Sequence, residues 1–318
     1  MSSVLITGGT GLVGSALSRL LLANGYDVII LSRNPIETAG RFDVESERRD
    51  FRHNGKIFFS KWDIEKSKID AEAIRVADHV IHLAGAGVAS QRWTEARKKE
   101  IRDSRTQSSQ LLVDCLQKNP NKVKTVISAS AIGWYGPDKG KVFTEDDPAS
   151  EDFLGHTCKL WEESIEPTAA LGKRLVKLRS GIVLSNKGGA LTKFQMPIRL
   201  GMATVMGEGN QVMSWVHIDD VCHAFLHALE TPQVSGVYNL VAPQYVDNRT
   251  LILSLARHMN GKKFLKMRVP SSVLSTILGE MSIEVLKSAR VDGSKLTTTG
   301  FRYAFPELEG ALTDLLDR

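Results

Sequence analysis

The sequence predicts an α/β fold: a doubly wound parallel sheet carrying a smaller, interleaved C-terminal α/β lobe. Three observations support this. Short apolar, β-branched runs alternate with amphipathic helical stretches through the first half of the chain. A glycine-rich stretch, TGGTGLVG (Thr7 to Gly14), separates the first such run from a helical pattern. Beyond Gly181 the alternation loosens, yet no Gly-, Ser- or Pro-rich linker marks a clean boundary.

In chain order, the predicted strands are Val4–Ile6, Val28–Leu31, Ile57–Phe59, Val80–Leu83, Val123–Ser128 and Leu175–Leu178. Their apolar residues are continuous rather than alternating, which suits strands covered on both faces by helices. The polar, arginine-rich segment Asn34–Lys56 reads as a long loop with one helical turn. Further on, DDVCHAFLHALE (Asp219 to Glu230) is an amphipathic helix and Gly236–Pro243 another strand. The sheet domain is expected over residues 1–180 with a return segment at about 212–243. Residues 181–211 and 244–318 form the second lobe, and the pocket is expected between the two.

The chain has 318 residues, 42% of them apolar and 7% aromatic, as in an ordinary globular enzyme. No run approaches the ~18 apolar residues of a membrane span. Neither a basic leader nor a cleavage site precedes the first strand, so a cytoplasmic location is expected. Cys115, Cys158 and Cys222 are far apart and form no C-x-x-C, which argues against a disulfide framework or a zinc site. The net charge of +5 is mild, and no recognition element accompanies it, so nucleic-acid binding is disfavoured. In RKKEIRDSR, Arg97 to Arg105, acids interrupt the bases at helical spacing, which predicts a largely solvated helix face.

Gly8, Gly11 and Gly14 recur at G-x-x-G-x-x-G spacing between a strand and a helix. The first permits a tight turn, the second lets a pyrophosphate approach the backbone, and the third lets the helix pack on the sheet. Thr10, Leu12 and Val13 complete the turn, where N–H groups of the helix start face a phosphate. This is the signature of a Rossmann dinucleotide-binding domain. An NAD site usually has an acid after the second strand, bonding both ribose hydroxyls. Here Ser32 and Arg33 stand there. A guanidinium suits a 2′-phosphate and a serine can add a hydrogen bond, so NADP(H) is the expected cofactor.

Taken in order, TGGTGLVG, LSRNP, HLAGAGV, SASAIGWYG, RSGIVLS and SWVHIDDV resemble an extended, atypical short-chain dehydrogenase/reductase, in the NADP-binding epimerase family and its YfcH-like branch. The likeness spans nearly the whole chain. It implies that Leu83, Ala84 and Gly85 pass the adenine ribose, that Glu100 and Arg105 point toward the cofactor, and that Val183 lies near the nicotinamide. A small-molecule substrate is implied, and a homodimer is compatible with the sequence.

Enzymes of that superfamily use a Ser or Thr with a Tyr-x-x-x-Lys pair to polarise a carbonyl and transfer a proton. Ser130, at the end of the fifth strand, fits the first role. The pair is absent from FLGHTCKLWEE, where Leu154 and Cys158, or Gly155 and Lys159, stand at its spacing. Tyr135 is a substitute proton donor, and His156 and Lys159 are further candidates. His217 and Asp219 are expected to fix the chain's return to the sheet, with Gln211, Ser214 and Trp215 as pocket wall. The sequence thus leaves two classes: an NADP(H)-dependent oxidoreductase or epimerase-like enzyme on a small polar substrate, and an NADPH-binding regulator without turnover.

Overall fold

The computed structural model describes residues 2–41, 55–138 and 140–317. Eight strands form the main sheet: β1 (Ser3–Thr7), β2 (Asp27–Ser32), β3 (Ile57–Asp63), β4 (Lys68–Ile69), β5 (His79–His82), β6 (Thr125–Ala131), β7 (Arg174–Ser180) and β8 (Gly236–Leu240). Their spatial order is β8-β7-β6-β5-β1-β2-β3-β4. All neighbours are parallel except the short β4, which returns antiparallel on β3.

The continuous apolar runs have a direct physical cause. Val4, Ile6, Val28, Ile30 and Val176 face one core, shared with Leu17 and Leu21 of α1 (Leu12–Ala23) and with Val221 and Phe225 farther along the chain. The alternate residues Leu5, Ile29, Val80, Val126 and Leu175 face a second core with Ile74, Leu112 and Leu116. Successive side chains of a strand point to opposite faces, so burial of both faces demands an apolar residue at every step.

From β1 the chain winds outward through β2 and β3, then crosses back to β5 on the other side of β1. This reversal makes the ends of β1 and β5 the crevice where open α/β sheets receive ligands.

Several boundaries differ from expectation by a few residues, as where β3 runs to Asp63 rather than Phe59, and two differences have a plain physical reason. Within Asn34–Lys56, residues Pro35–Arg41 form a helix, α2. Pro35 suits a first turn, and Thr38 closes it by donating its N–H, at 3.0 Å, and its hydroxyl, at 2.8 Å, to the Asn34 carbonyl. Residues 42–54, which include Arg48, Arg49 and Arg52, lie outside the described residues. Strand β6 runs to Ala131 rather than Ser128, because its ladder with β7 continues to Ala131↔Ser180.

Smaller sheets make the interleaved lobe. Ile182–Ser185 pairs with Gly188–Gly189 and Trp215–His217, and Met202–Met206 runs parallel to Leu265–Val269. Val142–Phe143, from the loop after β6, pairs with Arg290–Val291. Leu191, Ile198, Trp215, Leu251, Leu255 and Leu312 fill the lobe's own core. Among the described residues no helix is long and apolar enough to cross a membrane.

Candidate active site

The glycine turn between β1 and α1 is built by three glycines acting differently. Gly8 has φ +69°, and a Cβ there would lie 2.8 Å from the Leu83 carbonyl carbon. Its turn therefore presses directly on the chain leaving β5. A Cβ on Gly14 would lie 2.3 Å from the Gly8 carbonyl oxygen, so α1 reaches the turn only without a side chain. A Cβ on Gly11 would meet only that oxygen, at 3.3 Å. Gly11 itself is exposed, precedes α1 in extended conformation and has no side-chain cap. Thr10 is also exposed, whereas Leu12 and Val13 pack into the second lobe's core.

Across the crevice, Thr7 ends β1 and accepts the N–H groups of Leu83 (3.1 Å) and Ala84 (3.2 Å) on its hydroxyl. That hydroxyl in turn lies 2.8 Å from His82 Nδ1, and His82 Nε2 lies 3.1 Å from Ser109 Oγ. Thr7 thus donates to Nδ1, which assigns the proton to Nε2. Burial holds the imidazole down to about 4, so it stays neutral. This relay locks Leu83 and Ala84 against the turn.

Ser32 is buried, accepts the Asn34 N–H at 3.1 Å and pairs with Thr38 at 2.6 Å. Its hydroxyl shapes the turn that presents Arg33, which is exposed.

Helix α3 (Ala71–Val76) packs Ala73 and Ile74 into the second core before β5, and the long helix α4 (Glu95–Lys118), capped by Thr94, lies beside the loop that leaves β5. The expected solvated face of α4 has an exception. Arg97 is buried, pairs with the exposed Glu100 at 2.6 Å and donates to Gly87 O and Ser90 Oγ, organising the loop after β5. Arg105 donates to Ala86 O at 3.0 Å, crosses the ring of Trp161 at 4.9 Å and packs under Gly85.

Ser130 and Tyr135 sit in one buried network. The Ser130 hydroxyl donates to Glu162 at 2.6 Å. Arg179 grips the same carboxylate through Nε at 2.8 Å and Nη2 at 3.0 Å, donates to Tyr135 at 3.0 Å and stacks 3.6 Å from the Trp134 ring. Tyr135 donates to Asn239 at 2.7 Å and has no exposed surface. Burial pushes its phenol up to about 12, against the neighbouring guanidinium.

Glu162 lies on α5 (Phe153–Ile165), capped by Asp152. Leu154 and Cys158 face Gly133, just after β6, whereas His156 and Lys159 are exposed on the opposite side. The inward Tyr-x-x-x-Lys spacing is therefore held by a leucine and a buried thiol pushed up to about 12.

A cavity of about 460 Å³ opens beside the turn, lined by Thr10, Gly11, Leu12, Arg19, Lys187 and Asp219. Val183 lies half-buried on its own strand, paired with Val216. As expected, His217 fixes the chain's return: its Nδ1 accepts the Asp219 N–H at 3.1 Å to cap α6 (Ile218–Glu230). Its Nε2 therefore carries the proton and lies 3.2 Å from Asp314, so the imidazole itself offers no lone pair to a metal. Gln211, Ser214 and Trp215 are buried; Gln211 donates to Met206 O and Ser214 to Ala289 O.

Comparison with known proteins agrees with this architecture. The model of the NAD dependent epimerase/dehydratase family matches residues 4–161 and 181–240. The chain belongs to that family. A domain of unknown function, DUF1731, matches residues 269–315. The chain is 36% identical to epimerase family protein YfhF of Bacillus subtilis over 99% of its own length and 98% of the relative's. It superposes on the structure of human epimerase family protein SDR39U1 with NADPH at a TM-score of 0.84, with 30% identity and 99% of both chains covered. A nucleoside-diphosphate sugar epimerase from Corynebacterium glutamicum gives 0.74 at 27% identity, covering 99% of this chain and 58% of that one.

Sequence reasoning passed over Glu162, Arg179, Asn239 and Arg97. A signal was present for two: Glu162 shares a helix face with Cys158 and Ile165, and Arg179 directly follows Leu178 in a strand whose Leu175, Val176 and Leu178 are core residues. Charges at core positions imply a buried partner.

Proposed function

We propose that this family member binds NADP(H) across the crevice between β1 and β5 and acts on a small polar molecule as an oxidoreductase or epimerase-like enzyme. The observation that carries the reading is the glycine turn, with Gly8 pressed against the exit of β5 and the exposed Gly11 lining the cavity at the start of α1. Leu83, Ala84 and Gly85 then line the adenosine side, and Val183 the nicotinamide side. Arg33 sets the choice of cofactor: exposed after β2, with no carboxylate partner among the described residues, it suits a 2′-phosphate. NADPH in the human relative's structure supports this choice.

For the chemical step, Ser130 and Tyr135 enter as one hydrogen-bonded unit. A proton leaving Ser130 has the Glu162 carboxylate at 2.6 Å to receive it, while Tyr135 steadies the Arg179 that holds Glu162. The same proposal includes the YfcH-like branch, a cytoplasmic location, a sheet domain at 1–180 with its return at about 212–243 and a second lobe at 181–211 and 244–318, and a second copy of the chain as candidate partner.

A second reading, an NADPH-holding protein without turnover, is favoured by one observation: Leu154 and Cys158 at the inward pair positions can neither protonate a carbonyl nor hold a ribose as Tyr and Lys would. Purified protein is tested for retained NADPH, and its absorbance is followed against carbonyl compounds and sugar nucleotides. Substrate-dependent oxidation supports the enzyme. Retained cofactor with no turnover across both groups supports the second reading.

A further inference from the structure

The cavity of about 460 Å³ beside the glycine turn has walls from distant parts of the chain. One wall is the start of α1, with Thr10, Gly11 and Leu12. The other is the tight turn from Ser185 to Gly188, which joins Ile182–Ser185 to Gly188–Gly189 as an antiparallel hairpin of the second lobe. The hairpin is firmly placed. Gly188 pairs with Ser185 and Gly189 with Leu184, and the Ser185 hydroxyl accepts the Lys187 N–H at 3.2 Å. Gly189, at φ +79°, is seated on α1, since a Cβ there would lie 3.4 Å from Leu12 Cδ2. Lys187 thus stands at the tip of a hairpin that rests on the first residue of α1.

Lys187 is exposed where it lines this cavity, and its ammonium has no hydrogen-bond or ion-pair partner among the described residues. Of the other charged groups on the walls, Arg19 and Asp219 are opposite in sign, so Lys187 leaves the cavity net cationic. On the facing wall, the Gly11 N–H is bound to Gly8 O at 3.0 Å, and α1 has no side-chain cap. The N–H groups of its first turn are therefore open to an anion. Both walls turn positive groups to one space. The same hairpin carries Val183, two residues before Ser185, so a single strand runs from the nicotinamide side of the proposed site to the glycine turn.

We propose that Lys187 closes over the pyrophosphate of the cofactor, so that the dinucleotide is held by the second lobe as well as by the glycine turn. The proposal rests on the NADP(H) reading and deepens it. Backbone N–H groups at the turn are neutral donors. The ammonium on its flexible stem adds the full counter-charge, and as a point charge it suits a diphosphate whose charge is spread over several oxygens. Arg33, after β2, has a different target, the 2′-phosphate that only NADPH carries. The pyrophosphate belongs to NADPH and NADH alike, and so does the contribution of Lys187.

That difference supplies the test. Dissociation constants for NADPH, NADH and 2′-AMP, which has the 2′-phosphate but no pyrophosphate, are measured at low salt for the native protein, Lys187→Gln and Lys187→Arg. Lys187→Gln should weaken both dinucleotides by the same factor, about tenfold, the lower end of the scale for a hydrogen bond to a charged group. It should leave 2′-AMP within about twofold. Lys187→Arg, which keeps the charge, should recover most of the loss, and added salt should narrow the gap between the native protein and Lys187→Gln. An unchanged Kd for NADPH in Lys187→Gln overturns the proposal while leaving the cofactor reading intact. A loss confined to NADPH would assign Lys187 to the 2′-phosphate, and an equal loss for 2′-AMP would show a disturbed site rather than a lost clamp; either result overturns it. A native protein that binds neither dinucleotide overturns the cofactor reading and this proposal together.

Discussion

The Ser130 hydroxyl lies 2.6 Å from a Glu162 oxygen that Arg179 also grips at 2.8 Å, so the hydroxyl proposed for the chemical step is wired to a buried ion pair. Both charged partners are almost wholly enclosed. In such a pair the attraction roughly offsets the desolvation of two ions, and removing one partner leaves the other stranded.

Glu162→Ala should therefore destabilise the protein by about 3–5 kcal/mol, the scale for stranding a buried charge. Adding Arg179→Met should recover part of the loss, because the stranded guanidinium is gone. Urea denaturation of both variants measures this. A double variant no more stable than Glu162→Ala would show that the arginine's other bonds, to Tyr135 and Glu145, outweigh the pair.

The glycines separate fold from binding. Gly11→Val should keep the native melting temperature within a few degrees yet lose NADPH retention, since the added methyls enter the space offered to a pyrophosphate. Gly14→Val should instead fail to fold stably, because its Cβ falls 2.3 Å from the Gly8 carbonyl. Unchanged NADPH affinity in Gly11→Val would remove the phosphate-turn assignment.

Arg33→Ala should weaken NADPH by roughly 1.5–3 kcal/mol, the scale of hydrogen bonds to a charged group, and barely change NADH. Added salt should weaken NADPH more than NADH in the native protein, because only NADPH carries the extra phosphate charge. Titration calorimetry with both cofactors decides. Equal losses for the two, with one common salt response, would exclude Arg33 as the reader of the phosphate.

Buried His82 gives a pH dependence with a definite sign. Its folded-state value of about 4 lies below the ordinary 6.5, so the unfolded chain binds the proton first as pH falls. The stability it contributes is complete above pH 6.5 and is lost between there and 4, in total by roughly 3 kcal/mol. His82→Gln should flatten that part of the stability profile relative to the native protein. Parallel profiles for the two proteins would contradict the buried, neutral assignment.

The strands, their parallel pairing and the glycine turn were determined by local sequence. Leu5 between Val4 and Ile6 reports a strand covered on both faces, and Gly8 and Gly14 stand where a φ of +69° and a closest approach of 2.3 Å admit nothing larger. Arg33 is legible for the same reason, since its place follows from the end of β2. Helix α2 is less so: it has little apolar stripe, and it is closed by hydrogen bonds from Thr38 that periodicity does not register.

The tertiary structure alone decided the inner face of the site. Ser130 meets Glu162 across 32 residues and Tyr135 meets Asn239 across 104, so no window of sequence contains either pair. It also decided that Leu154 and Cys158, rather than Gly155 and Lys159, face the end of β6, because the rotation of α5 is fixed by Trp161, Glu162 and Ile165 packing inward. Spacing along a chain defines a set of possible faces, and burial against distant elements chooses among them, because the free energy of removing apolar surface from water depends on what covers it.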